Sequence, residues 1–316
     1  MSTKKKQSFL GGAAILASAV AIVKGIGFFY KIPLNNILGE EGKTYFDSAY
    51  QIYNVLLSIS TAGLPLALSK LVSEAQARGR ENEKRKLFST AIWIFFALGL
   101  AGFAIMFFGT SWVAARLHNE SAYWAIRALS PAVFCVCLLA CMRGYTQGQG
   151  NMTPTAVSQV LEALSKLGIG LALAWYIFQA GMGQKFVAAG AILGVTIGTV
   201  LSMIFLIGYL LTHRSRAETL DVPESRGTLA RQILVIGVPI TLSNSAMSII
   251  TLVDTSIVLG RLQNGLGLTE EAASALKGAY GYAMDMVNLP PSFVFPVTMS
   301  LIPVAAAALA RRDHRE

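Results

Sequence analysis

Apolar residues in this chain come in long unbroken runs rather than in the narrow stripes of a surface helix. Eight such runs occupy residues 9–34, 46–76, 87–115, 122–142, 154–180, 186–212, 231–260 and 279–310. Each reaches the roughly 20 residues a helix needs to cross the hydrocarbon of a bilayer. Several exceed it, which predicts tilt or extension beyond the lipid. The expected fold class is all-α: a polytopic membrane protein of eight transmembrane helices. Lys4, Lys5 and Lys6 precede the first run, and Ala19-Val20-Ala21 mimics a signal-peptidase site. The run continues past that site to Tyr30, so the first span is read as retained.

Composition supports lipid as the solvent. Hydrophobic residues make up 54% of the chain and charged residues 14%, against about 25% charged in an ordinary soluble domain. The net charge of +9 raises nucleic acid as a partner, but the placement of the charges argues otherwise. With the N-terminus in the cytoplasm, sixteen of the 26 Lys and Arg fall in the inner segments, six in the outer ones and four within spans. That bias is the positive-inside rule, so the charge reports topology: a plasma-membrane protein, both termini cytoplasmic, with no nucleic-acid partner. Cys135, Cys137 and Cys141 share one apolar run and read as buried thiols.

The chain also resembles itself. GEEGKTYFDSAYQIYNVLLSISTAGLPLALSKLVSEAQARGR, residues 39–80, has the layout of EEAASALKGAYGYAMDMVNLPPSFVFPVTMSLIPVAAAALARR, residues 270–312. An acidic stretch leads to Ala49-Tyr50 or Ala279-Tyr280, and Pro65 and Ser69 match Pro296 and Ser300. Span 8 then corresponds to span 2. A repeat of six spans preserves orientation, as in transporters built from parallel repeats. The expected organisation is a six-helix N-terminal lobe over 1–212, a cytoplasmic linker over 213–230, and the first two helices of an incomplete C-terminal lobe over 231–316. On this reading the chain is C-terminally truncated, or a second chain supplies the missing helices.

The most polar stretch in the middle of the chain is RGYTQGQGNMTPTAVSQVLEALSK, residues 143–166. Gly148-x-Gly150 lacks the strand and the third glycine of a dinucleotide loop, and Thr153-Pro154 suits a helix N-cap followed by proline. Arg143-Gly144-Tyr145-x-Gln147-Gly148, with Asn151-Met152-x-Pro154-Thr155-Ala156-x-Ser158-Gln159-x-x-Glu162, resembles the loop between spans 4 and 5 of the polysaccharide-transporter branch of the MOP flippases. These are relatives of the MATE exporters, and the branch includes the lipid II flippases and the stage V sporulation protein B group. Lys24-Gly25-Ile26-Gly27-Phe28, Ala49-Tyr50-x-x-Tyr53-Asn54 and Gly63-Leu64-Pro65 add to the resemblance, which covers all eight spans. It implies two helical lobes that rock about a central cavity. Arg143, Gly144, Gln147, Gly148, Asn151 and Pro154 are then expected in a flexible cytoplasmic connection near the gate.

Ionisable residues inside spans are costly and usually face a cavity or a partner. Lys70 and Glu74 read as an interfacial ladder, and Asp47 lies at an outer span end. The candidate substrate-binding residues are Lys24, Lys31, Arg127, Glu162, Lys166, Asp254 and Asp285. Glu162 and Lys166 have the favourable i,i+4 order of an ion pair, and Asp285 has Lys277 as an alternative partner. Gly190, Gly194 and Gly198 form a face for close helix packing. No Ser/His/Asp set, metal box or phosphate loop occurs, so neither an enzyme nor a cofactor is expected. The leading expectation is a flippase moving a polyprenyl-pyrophosphate-linked saccharide from the bilayer's inner to its outer leaflet. Two alternatives stand beside it: a MATE-like cation-coupled drug exporter, and a truncated remnant that transports nothing.

Overall fold

A computed structural model describes residues 9–61, 63–213 and 220–288. The flanking basic clusters at 4–6 and 311–315, and the distal part of span 8 with Pro296 and Ser300, lie outside the described residues. The described residues are helical apart from short turns, and six helical stretches among them are long and apolar enough to cross a membrane. The first of the six runs over both spans 1 and 2.

Helix α1 runs Phe9–Thr61 and breaks at Gly39, whose φ of 61° lies in the left-handed region that glycine occupies without a Cβ clash. The connection expected between spans 1 and 2 is thus helical, with one sharp corner. Tyr30 and Tyr50, on opposite sides of that corner, both lie within 4.8 Å of the Lys166 ammonium. A straight helix would separate them by about 30 Å, so the chain doubles back at Gly39. A second break before Gly63 starts α2, Leu64–Ala77. There the freed Gly63 N–H donates to Thr241 Oγ1 at 3.2 Å, the kind of side-chain rescue that broken helices need in lipid.

The remaining elements follow in order. Helix α3 is Glu81–Phe108, α4 is Thr110–Arg116, and α5 is Tyr123–Gly148, the most buried of the long helices. Helix α6, Thr153–Ser165, passes through a π turn at Lys166–Gly170 into α7, Leu171–Gln179. Helix α8 is Gln184–Thr212, and α9 is Arg226–Gly260, closing on a π turn at Arg261–Gly265. Helix α10 is Glu270–Val287. Ser225 and Thr269 cap α9 and α10, accepting from Thr228 N and Ala272 N, as N-cap hydroxyls do.

Cross-contacts gather the turns at two ends. At the end carrying Gly39, Thr44 bonds Ser274, Ser256 and Gln263 reach the carbonyls of Arg116 and His118, and Ser121 N donates to Glu270. At the end carrying Gly150, Asn151 bonds Tyr209 and Gln76 bonds the carbonyl of Gln149. Asp221 from the segment before α9 accepts the N–H groups of Asn82 and Glu83. Every one of these links joins segments assigned to the same side by the charge pattern.

The glycine stripe on α8 packs as its spacing predicts. Gly194 lies against the backbone of Gly170, and Gly198 against the Glu162 carbonyl and Ser165. Cys135, Cys137 and Cys141 are free and buried in α5. The stretch from Arg143 departs from expectation. Arg143, Gly144, Gln147 and Gly148 belong to α5 rather than to a loop, and only residues 149–152 turn. A Cβ on Gly144 would meet the Pro65 backbone, and one on Gly148 the Ser69 carbonyl and Val72. These glycines let α2 seat against α5, so they are packing positions. Thr153 is already helical, and its N–H is taken by the Asn151 side chain. Pro154 sits buried at the start of α6.

Candidate functional site: a lysine-lined cavity between α1 and α9–α10

A cavity of about 1020 Å³ separates the two arms of α1 from α9 and α10, with Lys166 reaching in from the π turn. Contacts bound it at both ends. Toward Gly150, Ser58 bonds Ser245 at 3.2 Å and Gly63 lies on Gly237 and Thr241. Toward Gly39, α10 lies against the corner itself. Gly278 packs on the Glu40 backbone, and the Tyr282 hydroxyl donates to the carbonyls of Gly39 at 2.6 Å and Asn35 at 3.0 Å.

Five of the seven predicted site residues line this cavity: Lys24, Lys31, Lys166, Asp254 and Asp285. Arg127 does not. It lies over the Phe107 ring at 4.7 Å and hydrogen-bonds the Tyr123 hydroxyl on its own helix. Glu162 does not either. It faces α5 and α8, where Arg143 Nη2 meets it at 3.0 Å and Thr199 lies 3.5 Å away. Arg143 also donates to Ser158 Oγ at 2.9 Å. The Glu162–Lys166 pair suggested by spacing is therefore replaced by an Arg143–Glu162 pair. An i,i+4 pair is worth about 0.3–0.5 kcal/mol on a helix surface, less than a charge-assisted bond to a half-buried guanidinium.

Lys166 instead has aromatic company. Its ammonium lies 4.8 Å from the Tyr30 ring and 4.5 Å from the Tyr50 ring, and donates to the Tyr50 hydroxyl at 3.2 Å. Two ring faces stabilise a cation without neutralising it. The π turn that begins at Lys166 is the kind of helix irregularity often found at functional sites. Lys24 is exposed on the cavity wall. Among the described residues neither Lys24 nor Lys166 makes an ion pair.

Sequence reasoning missed Lys43, Lys277, Tyr30 and Tyr50, and gave Asp47 no site role; all five line the cavity. Lys43 and Asp47 form an i,i+4 pair at 2.6 Å, a spacing visible in the sequence. What hid it is that residue 43 reads as an outer connection until the corner at Gly39 folds it inward. Asp285 bridges Lys31 at 2.5 Å and Lys43 at 3.1 Å, while Lys277 takes Asp254 at 3.5 Å. The alternative Asp285–Lys277 pairing is thereby corrected. Among the described residues no three His, Cys, Asp or Glu side chains gather as a metal site.

The profile of a family described as polysaccharide biosynthesis protein matches residues 9–308. The chain is similar to stage V sporulation protein B of Bacillus subtilis (strain 168), 26% identical over 311 residues that cover 97% of this chain and 60% of that protein. It is similar to lipid II flippase MurJ of the same strain, 23% identical over 324 residues, covering 97% of this chain and 59% of that one. The chain thus spans about 60% of the length of these curated relatives. Among solved structures, a MATE protein in complex with MaD5 aligns with a TM-score of 0.67 at 17% identity, covering 98% of this chain and 70% of that one. A MOP superfamily transporter from Pyrococcus furiosus, described as having a binding pocket of reverse polarity, aligns with a TM-score of 0.67 at 17% identity, over 99% of this chain and 69% of that one. At such identity the structural likeness concerns the fold.

Proposed function

The chain belongs to the polysaccharide biosynthesis protein family, and from that premise we propose that it is a flippase that moves a lipid-linked saccharide across the membrane by alternating access. The cargo class is a polyprenyl-pyrophosphate-linked saccharide, and the chain's role is carriage rather than catalysis. The observation that carries this reading is the charge of the cavity: five lysines face three aspartates, an excess of two positive charges. A pyrophosphate diester carries the complementary two negative charges. Lys24 and Lys166 are the groups free to meet it, while the prenyl chain stays in lipid.

The bias of the basic segments supports a plasma-membrane orientation with the Gly150 end, and both termini, toward the cytoplasm. A potential negative inside then favours outward movement of the anion by about 2.3 kcal/mol per charge per 100 mV. A cationic drug as cargo fits less well, because Asp47, Asp254 and Asp285 are all engaged by lysines. The fold itself does not choose between cargoes.

The test is a fluorescent polyprenyl-pyrophosphate saccharide in proteoliposomes, its leaflet read by a membrane-impermeant quencher. Exchange by the wild-type chain that falls at least tenfold in Lys24→Ala/Lys166→Ala supports the reading. Equal exchange in the double variant refutes the cationic-cavity reading.

A further inference from the structure

A second crevice of about 510 Å³ lies on the far side of the α1–α10 contact, lined by Ile32, Asn36 and Met286 among others. It shares Phe28, Lys31, Asn35 and Asp285 with the central cavity. The Lys31–Asp285 pair therefore stands in the wall between the two spaces. Asp285 also meets Lys43, so one carboxylate holds two lysines of the α1 corner. Lys43 is nearly buried at 4% exposure and is shared with Asp47. Apart from this carboxylate, α10 is tied to the corner by the Tyr282 and Thr44 hydrogen bonds and the Gly278 contact.

The lysines of the cavity thus fall into two sets. Deep in the cavity, Lys24 and Lys166 have no carboxylate. At the Gly39 end, Lys31 and Lys43 are already occupied by an acid that belongs to the other half of the molecule. We propose that Asp285 is an internal stand-in for the cargo's phosphoryl group. An anion that leaves the deep lysines for Lys31 and Lys43 must displace Asp285, and this displacement unlatches α10 from the corner. The exchange puts one phosphoryl group, which carries one of the cargo's two negative charges, in place of one carboxylate on the same two ammonium groups. No ion is left unpaired in lipid on the α1 side, and the freed Asp285 moves away with α10. Only an anionic cargo has differential affinity for the latched and unlatched states, and such a difference is what shifts a conformational equilibrium. A neutral lipid of the same shape leaves the latch closed. This inference rests on the anionic cargo proposed above.

The experiment measures binding of farnesyl pyrophosphate to the detergent-solubilised full chain by calorimetry, with farnesol as the neutral control. If Asp285 competes with the ligand and the wild type is unlatched in about one molecule in ten, Asp285→Asn binds about tenfold more tightly. Farnesol binding stays unchanged. Tyr282→Phe removes both hydrogen bonds to the corner without altering charge, and should also bind farnesyl pyrophosphate more tightly. It carries the test should Asp285→Asn fail to fold. Wild-type binding that neither variant tightens overturns the stand-in while leaving the anionic cavity intact. Absence of binding in wild type and variants alike overturns both.

Discussion

Arg143→Ala is expected to be the most damaging single substitution outside the cavity. Arg143 and Glu162 are 13% and 22% exposed as side chains and meet at 3.0 Å between α5 and α6. At that distance and an effective dielectric of about 20, their attraction is about 5–6 kcal/mol before desolvation. Removing the arginine leaves the carboxylate in a membrane helix, where the Thr199 hydroxyl at 3.5 Å is its one other hydrogen-bond partner among the described residues. It also removes the donor to Ser158 Oγ, which keeps its own bond to the Thr155 carbonyl. Breaking a buried pair from one side typically costs about 3–5 kcal/mol, a large part of any domain's stability. The cost belongs to the orphaned charge, so neutralising it should recover most of the loss. Arg143→Ala/Glu162→Gln is expected within about 1–2 kcal/mol of wild type. Denaturant unfolding of the four corners of the cycle in detergent measures the coupling. A double variant as unstable as Arg143→Ala alone would refute the reasoning, since the loss would then come from the missing arginine's packing.

Three further substitutions probe the joints. Asp221 caps the N-terminus of α3 from the segment that leads into α9, where Arg80 offers no side-chain cap of its own. Asp221→Ala should cost about 1 kcal/mol and speed tryptic cleavage at Arg226, and cleavage at the wild-type rate would count against the clasp. A Cβ on Gly278 meets the Glu40 carbonyl and backbone, which cannot yield, whereas one on Gly27 meets nothing within 4 Å. Gly278→Ala should therefore destabilise by about 1–3 kcal/mol, and Gly27→Ala should be neutral or gain up to about 1 kcal/mol. Equal thermal stability of the two variants would contradict the close seating of α10.

Much of the fold was legible because lipid imposes length. Runs of twenty apolar residues have few alternatives to spanning helices, and the charge bias sorted their ends into the two groups that the cross-contacts join. Local backbone events were not legible. The run from Arg143 looked like a loop because glycine and glutamine are poor lipid-facing residues. Gly144 and Gly148 are there instead because α2 crosses α5 at backbone distance. Site residues divided along the same line. Lys24 and Lys166 announced themselves by depth within an apolar run. Lys43 did not, because its place in the cavity depends on one glycine turning the chain back on itself. Arg127, at the outer end of its span, was a weaker candidate, and it lies outside the cavity against the Phe107 ring of α3 and the Tyr123 hydroxyl of its own helix. Depth identifies a charge that needs a partner; only tertiary structure says whether the partner is already there.

That distinction bears on how the cavity would work. A lysine at the centre of a membrane helix costs about 2.5–3.5 kcal/mol on the insertion scale. At Lys31, Lys43 and Lys277, toward the outer end, the chain supplies aspartates from the same cavity. At Lys24 and Lys166 it supplies none among the described residues, and Lys166 has only two ring faces and a hydroxyl. Structure alone gains nothing from leaving those two unpaired, since a single Asp on either arm of α1 would be stabilising. On the proposed function, an anion that comes and goes does gain from it, because a permanent counter-ion would compete with the cargo at every cycle. The paired lysines tie α1 and α9 to α10 or pair within α1, and on the proposed function the unpaired ones are what an anion would enter to meet.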